Sequence, residues 1–427
     1  MRKKRTLILA SLMIAGEVIF LLPFVVARIF RPTFLKVFEI SNLELGTAFS
    51  IYGVIAMVSY FAGGPIADRF SPRRLMTVSL LITAVGGVFM ALIPSLTGLA
   101  ILYGFWGIST ILLYWAASVK AIREFGGDDT QGRAFGSVDA GRGLVAAVLA
   151  SVSVLMFDAF LPVDVEMASL GEMSSALSKI IIIFSGLVIG TAVLVWFSFP
   201  SGHLIKNASS NKISLEGIKA VIKRRSIWLQ AIILLCAYIG YKCTDDFSLY
   251  ASDVFGYNDV NAAHMGTISF WMRPLAALAA GILGDRFTIS KISSICFVII
   301  ILGSIVISTG FIQPGMEVLI ILTIASTSAG IYGLRGLYFA LFQEAKLPLI
   351  YTGSAVGFIS VIGYTPDIFM GPLMGYLLDS SPGELGHQHL FAFLAGAGVV
   401  GLVTSQLFAR INGPDQRTIQ PSERQKS

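Results

Sequence analysis

Five basic residues (Arg28, Arg142, Lys242, Arg273, Arg335) and five acidic ones (Glu17, Asp139, Asp245, Asp246, Asp367) stand inside long apolar runs. Charges in such surroundings are expensive, and they face a polar cavity or a partner of opposite sign. Two chemistries suit them. Arg28, Arg142 and Arg273, with Asp367, are expected to bind a small anionic or zwitterionic solute. A carboxyl group taken out of water is disfavoured in its charged form, so Glu17, Asp139 and Asp246 are the expected carriers of a proton. The bland alternative is that the charges pair to hold helices or gates. Asp139 and Arg142 are spaced i, i+3, and Lys242 and Asp246 i, i+4, so each pair can share a helix face. For any single residue the two readings are balanced. For the set, the functional reading is favoured, because a purely structural bundle packs with Ser, Thr and small residues at lower cost. Among the aromatic residues Tyr241 and Trp271 are assigned to the solute, with Tyr114, Trp115, Tyr238, Tyr332 and Tyr364 as further candidates that serve equally well in helix packing.

Positioning such groups requires membrane-spanning helices. Of 427 residues, 55% are hydrophobic and 13% charged, where soluble globular chains carry about 25% charged residues. A spanning helix needs ~20 apolar residues, and that length divides the chain into about twelve segments. They are expected near 7–37, 44–68, 73–93, 96–120, 132–158, 176–199, 226–251, 260–284, 289–311, 317–342, 352–378 and 390–410. The apolar runs lack the alternation of a barrel strand. A rise of ~1.5 Å per residue puts Glu17, Arg142, Arg273 and Asp367 nearest mid-bilayer. The same ruler puts Arg28 near the outer end of an overlong first segment. The expected fold class is an all-α membrane protein of two pseudo-symmetric six-helix bundles. Residues 1–199 and 226–411 form the bundles, 200–225 a cytoplasmic linker with an amphipathic surface stretch, and 412–427 a cytoplasmic tail.

The net charge of +6 comes from Lys and Arg in short loops, as on the inner side of a membrane protein, and not from a nucleic-acid-binding stripe. Arg69, Arg73, Lys120, Lys206, Arg224, Arg286 and Lys346 fall on one side, which places both termini in the cytoplasm. Basic Arg2 to Arg5 precede an apolar run too long for a signal peptide, so an uncleaved first helix is expected. Cys236, Cys243 and Cys296 read as small hydrophobes, and the four histidines have no zinc spacing. No cofactor or metal is implied. The absence of a phosphate-binding Gly-x-x-x-x-Gly-Lys-Ser/Thr argues against ATP-driven work. No metal cluster or Ser/His pair in the spans suggests a membrane enzyme.

The end of the second segment, Phe61 to Phe70, recurs six segments later as Leu278 to Phe287, with Ala, Gly, Asp, Arg and Phe in register. Gly64 to Arg74 resembles the Gly-x-x-x-Asp-Arg-x-Gly-Arg-Arg loop of the major facilitator superfamily, with Ser71-Pro72 where the family has Gly, and Gly281 to Arg286 resembles its second copy. The resemblance implies a secondary transporter with a site at the pseudo-symmetry axis. It also implies a conformational latch at Gly64, Asp68, Arg69, Arg73, Gly281, Asp285 and Arg286. The fourth segment lacks the Arg, and the fifth the Gly-Pro pair, of drug/proton antiporters. Leu22 to Arg28, Phe34 and Gly46 resemble the organophosphate and organic-anion branch, which places Arg28 in the cavity. Proton-coupled symport of a polar solute by a monomer in the bilayer is the implied activity. Uncoupled facilitation or exchange and, from another class, a transporter-like receptor are the alternatives.

Overall fold

The structure, a computed structural model, describes residues 2–126, 131–162, 165–200, 219, 221–347 and 352–412. Twelve helices among them are long and apolar enough to cross a membrane. They are α1 (Arg5–Ile29), α2 (Asn42–Arg69), α3 (Pro72–Met90), α4 (Leu96–Ile122), α5 (Gln131–Phe160) and α6 (Leu170–Ser198). After residues 201–218, which fall outside the description and make up most of the expected linker, come α7 (Arg225–Phe255), α8 (Asp259–Arg286) and α9 (Ile289–Ser308). The set ends with α10 (Glu317–Leu337), α11 (Ala355–Ser380) and α12 (Glu384–Asn412). No strand occurs among the described residues. Large apolar side chains such as Val85, Ile101, Phe197, Leu278 and Val318 are exposed on the outer faces. So much apolar surface suits lipid and not water.

Buried side chains form two main cores. One runs from Ile8 to Phe199 and takes in Val260, Ala263 and Phe270 of α8; the other runs from Ile233 to Phe408. Two helix starts lie further upstream than expected, at Leu170 and Glu384. Hydropathy undercounts polar first turns. Ser169 and Glu172 form a capping box that supplies the orphan N–H groups of α6. The first segment is broken instead of overlong. A π-helical turn at Leu21–Val25, around Pro23, precedes a second break at Phe30 and a separate helix, Arg31–Phe38.

Between described residues, the hydrogen bonds and ion pairs that join the two halves lie at mid-height or on the side where α2 begins. There Thr33 and Lys36 meet Asp259 at 2.9 and 3.0 Å. Nearby, Asp379 of α11 accepts the Leu43 N–H at 2.7 Å and the Asn42 N–H at 3.2 Å. A carboxylate at a helix N-terminus satisfies free N–H groups and opposes the positive end of the dipole. Asp379→Ala is expected to cost about 1 kcal/mol, read as a lower Tm in detergent with transport retained. An unchanged Tm would show that the cap contributes nothing.

Candidate functional site

A central cavity lies between the halves, lined by charged and aromatic side chains of α1, α2, α4, α5, α7, α8, α10 and α11. Four charges at or beside it sit where helices are interrupted or change type. Arg28 follows the π turn, and Asp367 opens the second part of α11 after a break at Tyr364–Thr365. Arg273 immediately precedes Pro274 inside α8, and Asp245 lies in a 3₁₀ turn, Thr244–Asp246. A second π segment, Ile108–Trp115, brings Ile111 and Trp115 to the cavity. Interrupted helices leave backbone groups and side chains free to face a polar interior. Pro23, Pro274 and Pro366 are the sequence signal for these places.

Three of the ion pairs, Arg273–Glu17, Arg273–Asp139 and Arg28–Asp245, cross the interface. Arg273 Nη1 donates to both Glu17 oxygens at 3.0 Å, and Arg142 Nε lies 3.5 Å from the same carboxylate. Asp139 stands 3.6 Å from Arg273 and 3.9 Å from Arg142, more exposed than either. Arg28 binds Asp245 across the halves and packs over the Tyr241 ring at 4.6 Å. Lys242 lies 3.8 Å from Asp245 and 3.4 Å from Asp367, whose oxygens also accept from the Tyr238 hydroxyl at 3.0 and 3.1 Å. Burying these carboxylates and cations without such partners would cost several kcal/mol each.

Arg335 differs from the others. It is half-buried and also lies over the Tyr241 ring, 4.2 Å from its centre. It has no carboxylate within ion-pair distance among the described residues, and its Nη1 is buried without a hydrogen-bond partner. The network thus sets Arg28, Arg142, Lys242, Arg273 and Arg335 against Glu17, Asp139, Asp245 and Asp367. One positive charge is left over. The aromatic wall consists of Phe20, Phe24, Tyr52, Tyr60, Trp115, Tyr238, Tyr241 and Tyr364, with the Tyr60 and Tyr364 rings near-parallel across the halves at 6.4 Å.

Of the residues expected from sequence, Glu17, Arg28, Arg142, Arg273, Tyr241 and Asp367 all line the cavity. Arg28 reaches it because the π turn and the break at Phe30 alter the simple ruler. Trp271 does not line it. That residue stands on the α5–α8 seam, 40% exposed, and donates to Ser151 Oγ at 2.9 Å. Asp246 is also elsewhere. The 3₁₀ turn swings it away from Lys242, so the i, i+4 pair fails, and Asp246 instead meets His387 at 2.7 Å. Lys242, Arg335, Tyr52 and Tyr60 are cavity residues that the sequence assignment did not include.

At the loop ends, Arg73 packs over Trp196 with 4.0 Å to the ring centre, Arg69 and Arg286 are exposed, and Gly281 has no neighbour where a Cβ would stand. The side chains of Asp68 and Asp285, and the surroundings of Gly64, lie outside the described residues.

Twelve membrane helices in two halves around a charged central cavity define a secondary transporter. The chain belongs to the Major Facilitator Superfamily, whose family model matches residues 7–369. It is 28% identical over 423 residues to the inner membrane protein YqcE of Escherichia coli (strain K12), covering 96% of each chain. Among solved structures it is similar to a bacterial homolog of the human lysosomal transporter Spinster, in an inward-facing, unoccupied conformation. That match has a TM-score of 0.74 at 15% identity and covers 97% of this chain and 99% of the other. The nucleoside transporter NupG is similar at a TM-score of 0.70 and 15% identity, over 97% and 100% of the two chains.

Proposed function

We propose that the chain moves a small, singly anionic polar solute together with protons across the cytoplasmic membrane, with both termini in the cytoplasm. The observation that carries this reading is the surplus positive charge of the cavity, centred on Arg335. A half-buried guanidinium whose Nη1 is buried without a partner is costly, and a bound carboxylate, phosphate or sulfonate removes that cost through a bidentate contact. Tyr60, Tyr238, Tyr364 and Trp115 offer flat faces and hydroxyl groups to a ring or polyol. The positive-inside rule assigns the side where α2 begins to the outside, so the halves are closed outside and the structure is inward-facing.

Proton coupling follows from competition for arginine. While Glu17 is ionised it occupies Arg273 and Arg142. A proton on Glu17, with Asp139 as the neighbouring acid, releases both guanidinium groups to an anion, so proton and solute bind together. The opposite charges then cancel for the crossing. Gly64, Asp68, Arg69, Arg73, Gly281, Asp285 and Arg286 are proposed as the latch on the cytoplasmic face.

The test is uptake into proteoliposomes of radiolabelled D-glucuronate, an amino acid and a nucleoside, with and without an inward proton gradient. Gradient-driven accumulation of the acid alone supports the reading. Equilibration without accumulation points to facilitation or exchange, and preference for the neutral nucleoside removes the anion assignment. Arg335→Gln is expected to raise the KM for glucuronate by about 10- to 100-fold, equivalent to about 1.4–2.8 kcal/mol, without lowering Tm. A KM unchanged by this substitution would place the anion elsewhere.

A further inference from the structure

A second set of titratable groups lies away from the cavity lining. His387 of α12 is fully buried between two carboxylates of α7, with Nδ1 2.7 Å from Asp246 Oδ2 and Nε2 3.3 Å from Asp253 Oδ2. Asp246 is likewise fully buried, whereas Asp253 is 37% exposed. The three form a line from the surface inward. Asp246 Oδ1 is buried and has no hydrogen-bond partner, and the same is true of Asp245 Oδ2 beside it in the chain. An orphaned, buried carboxylate oxygen is costly, and a proton relieves that cost. Asp245 in turn holds Arg28 and Lys242 at the cavity.

Other charges complete the surroundings. The Tyr250 ring stands edge-on to the imidazole at 5.3 Å, and Glu384, one turn before His387, hydrogen-bonds Gln388 at 3.0 Å. Arg31, from the other half of the molecule, gives Nε and Nη2 to Asn42 Oδ1 at 3.1 and 2.8 Å, and its Nη1 is buried without a partner.

We infer that Asp253, His387 and Asp246 form a proton relay that carries protons from the surface of the closed side into the interface and loosens that side when loaded. A proton from water binds Asp253 and passes to the Nε2 lone pair of His387. The Nδ1 proton then passes to Asp246 Oδ2, which leaves a neutral imidazole of the other tautomer and a neutral Asp246. No other reactant is needed. Neutral Asp246 removes a negative charge next to Asp245, which binds Arg28 across the halves, so the closed side holds less tightly. Release on the cytoplasmic side restores the charge. The inference rests on the proton-coupled reading above and adds to it the route by which an outside proton reaches the gate.

Spin labels at Leu92→Cys and Phe311→Cys, exposed residues beyond the ends of α3 and α9, report the separation of the halves on this side. In the otherwise wild-type protein, acidification from about pH 9.5 to about pH 5.5, spanning the range over which histidine titrates, is expected to shift the distances toward the longer population. His387→Gln and Asp253→Asn should each abolish most of that shift. D-glucuronate counterflow at equal pH should persist in both, while gradient-driven accumulation falls about tenfold, equivalent to about 1.4 kcal/mol. A wild-type pH response in both variants overturns the relay, as does its retention in Asp253→Asn alone. If the wild type does not move glucuronate, the solute assignment fails, and the spin-label distances still decide the relay.

Discussion

Arg273→Gln is expected to reduce transport at least about hundredfold, the largest loss for any single charge in the cavity, equivalent to about 2.8 kcal/mol or more. Arg273 touches Glu17 with two hydrogen bonds across the halves and faces Asp139 as well. Its loss leaves two carboxylates with Arg142 alone, and breaking one side of a buried pair costs about 3–5 kcal/mol. Glu17→Gln has a different expected result, because glutamine imitates the protonated acid and leaves Arg273 and Arg142 available to an anion. Counterflow should continue in that variant, independent of pH, while accumulation against a gradient disappears. The pair of measurements separates binding from coupling. If Glu17→Gln still accumulates solute on a proton gradient, the competition between Glu17 and the anion is not the coupling step.

The double variant Glu17→Gln/Arg273→Gln should recover most of the lost stability and none of the transport, since removing both members of a buried pair is far cheaper than removing one. Recovery of Tm without recovery of uptake would show that the pair acts on the solute and not only on the fold.

The spans were legible in the sequence because crossing lipid depends on a sum over consecutive residues, with no knowledge of neighbours required. Most cavity residues were legible for a related reason: Glu17, Arg142, Arg273 and Asp367 are charges at depths where only a cavity tolerates them. Their partners were not legible. Arg273 meets Glu17 only because α1 and α8, far apart in the chain, pack together. Lys242 and Asp246 had the right spacing for a helical pair, yet the 3₁₀ turn at Thr244–Asp246 changes the rotation per residue and sends them to different partners. His387 lacks zinc spacing and stands between two aspartates. No local pattern announces it. Trp271 illustrates the limit for aromatic residues, since one ring suits a cavity, a helix seam and a lipid face alike. Arg335 was recognised as a deep charge, and its want of a counter-ion emerges only in three dimensions.

The strongest conformational prediction concerns glycine. On the closed side α2 and α11 touch backbone to backbone: a Cβ on Gly46 would collide with the Gly371 carbonyl, and one on Gly371 with the carbonyl of Gly46. Gly53 and Gly375 meet Asp367 and Leu43 in the same way. Helices approach so closely where glycine or another small residue lines the seam. Overpacking one such position costs about 1–3 kcal/mol, and moving a two-state equilibrium from one extreme to the other takes about 5.5 kcal/mol. Gly46→Leu with Gly371→Leu therefore reaches the range needed to hold this side open. The double variant is expected to insert normally, to show the longer Leu92–Phe311 separation at every pH, and to lose solute exchange altogether. Gly190→Leu, where nothing stands within 4 Å, should transport like the wild type. A molecule that alternates must close as well as open, so an intact cavity on a gate that cannot close should bind and not turn over. Exchange at wild-type rates in the double variant would mean that closing this seam is no part of the cycle.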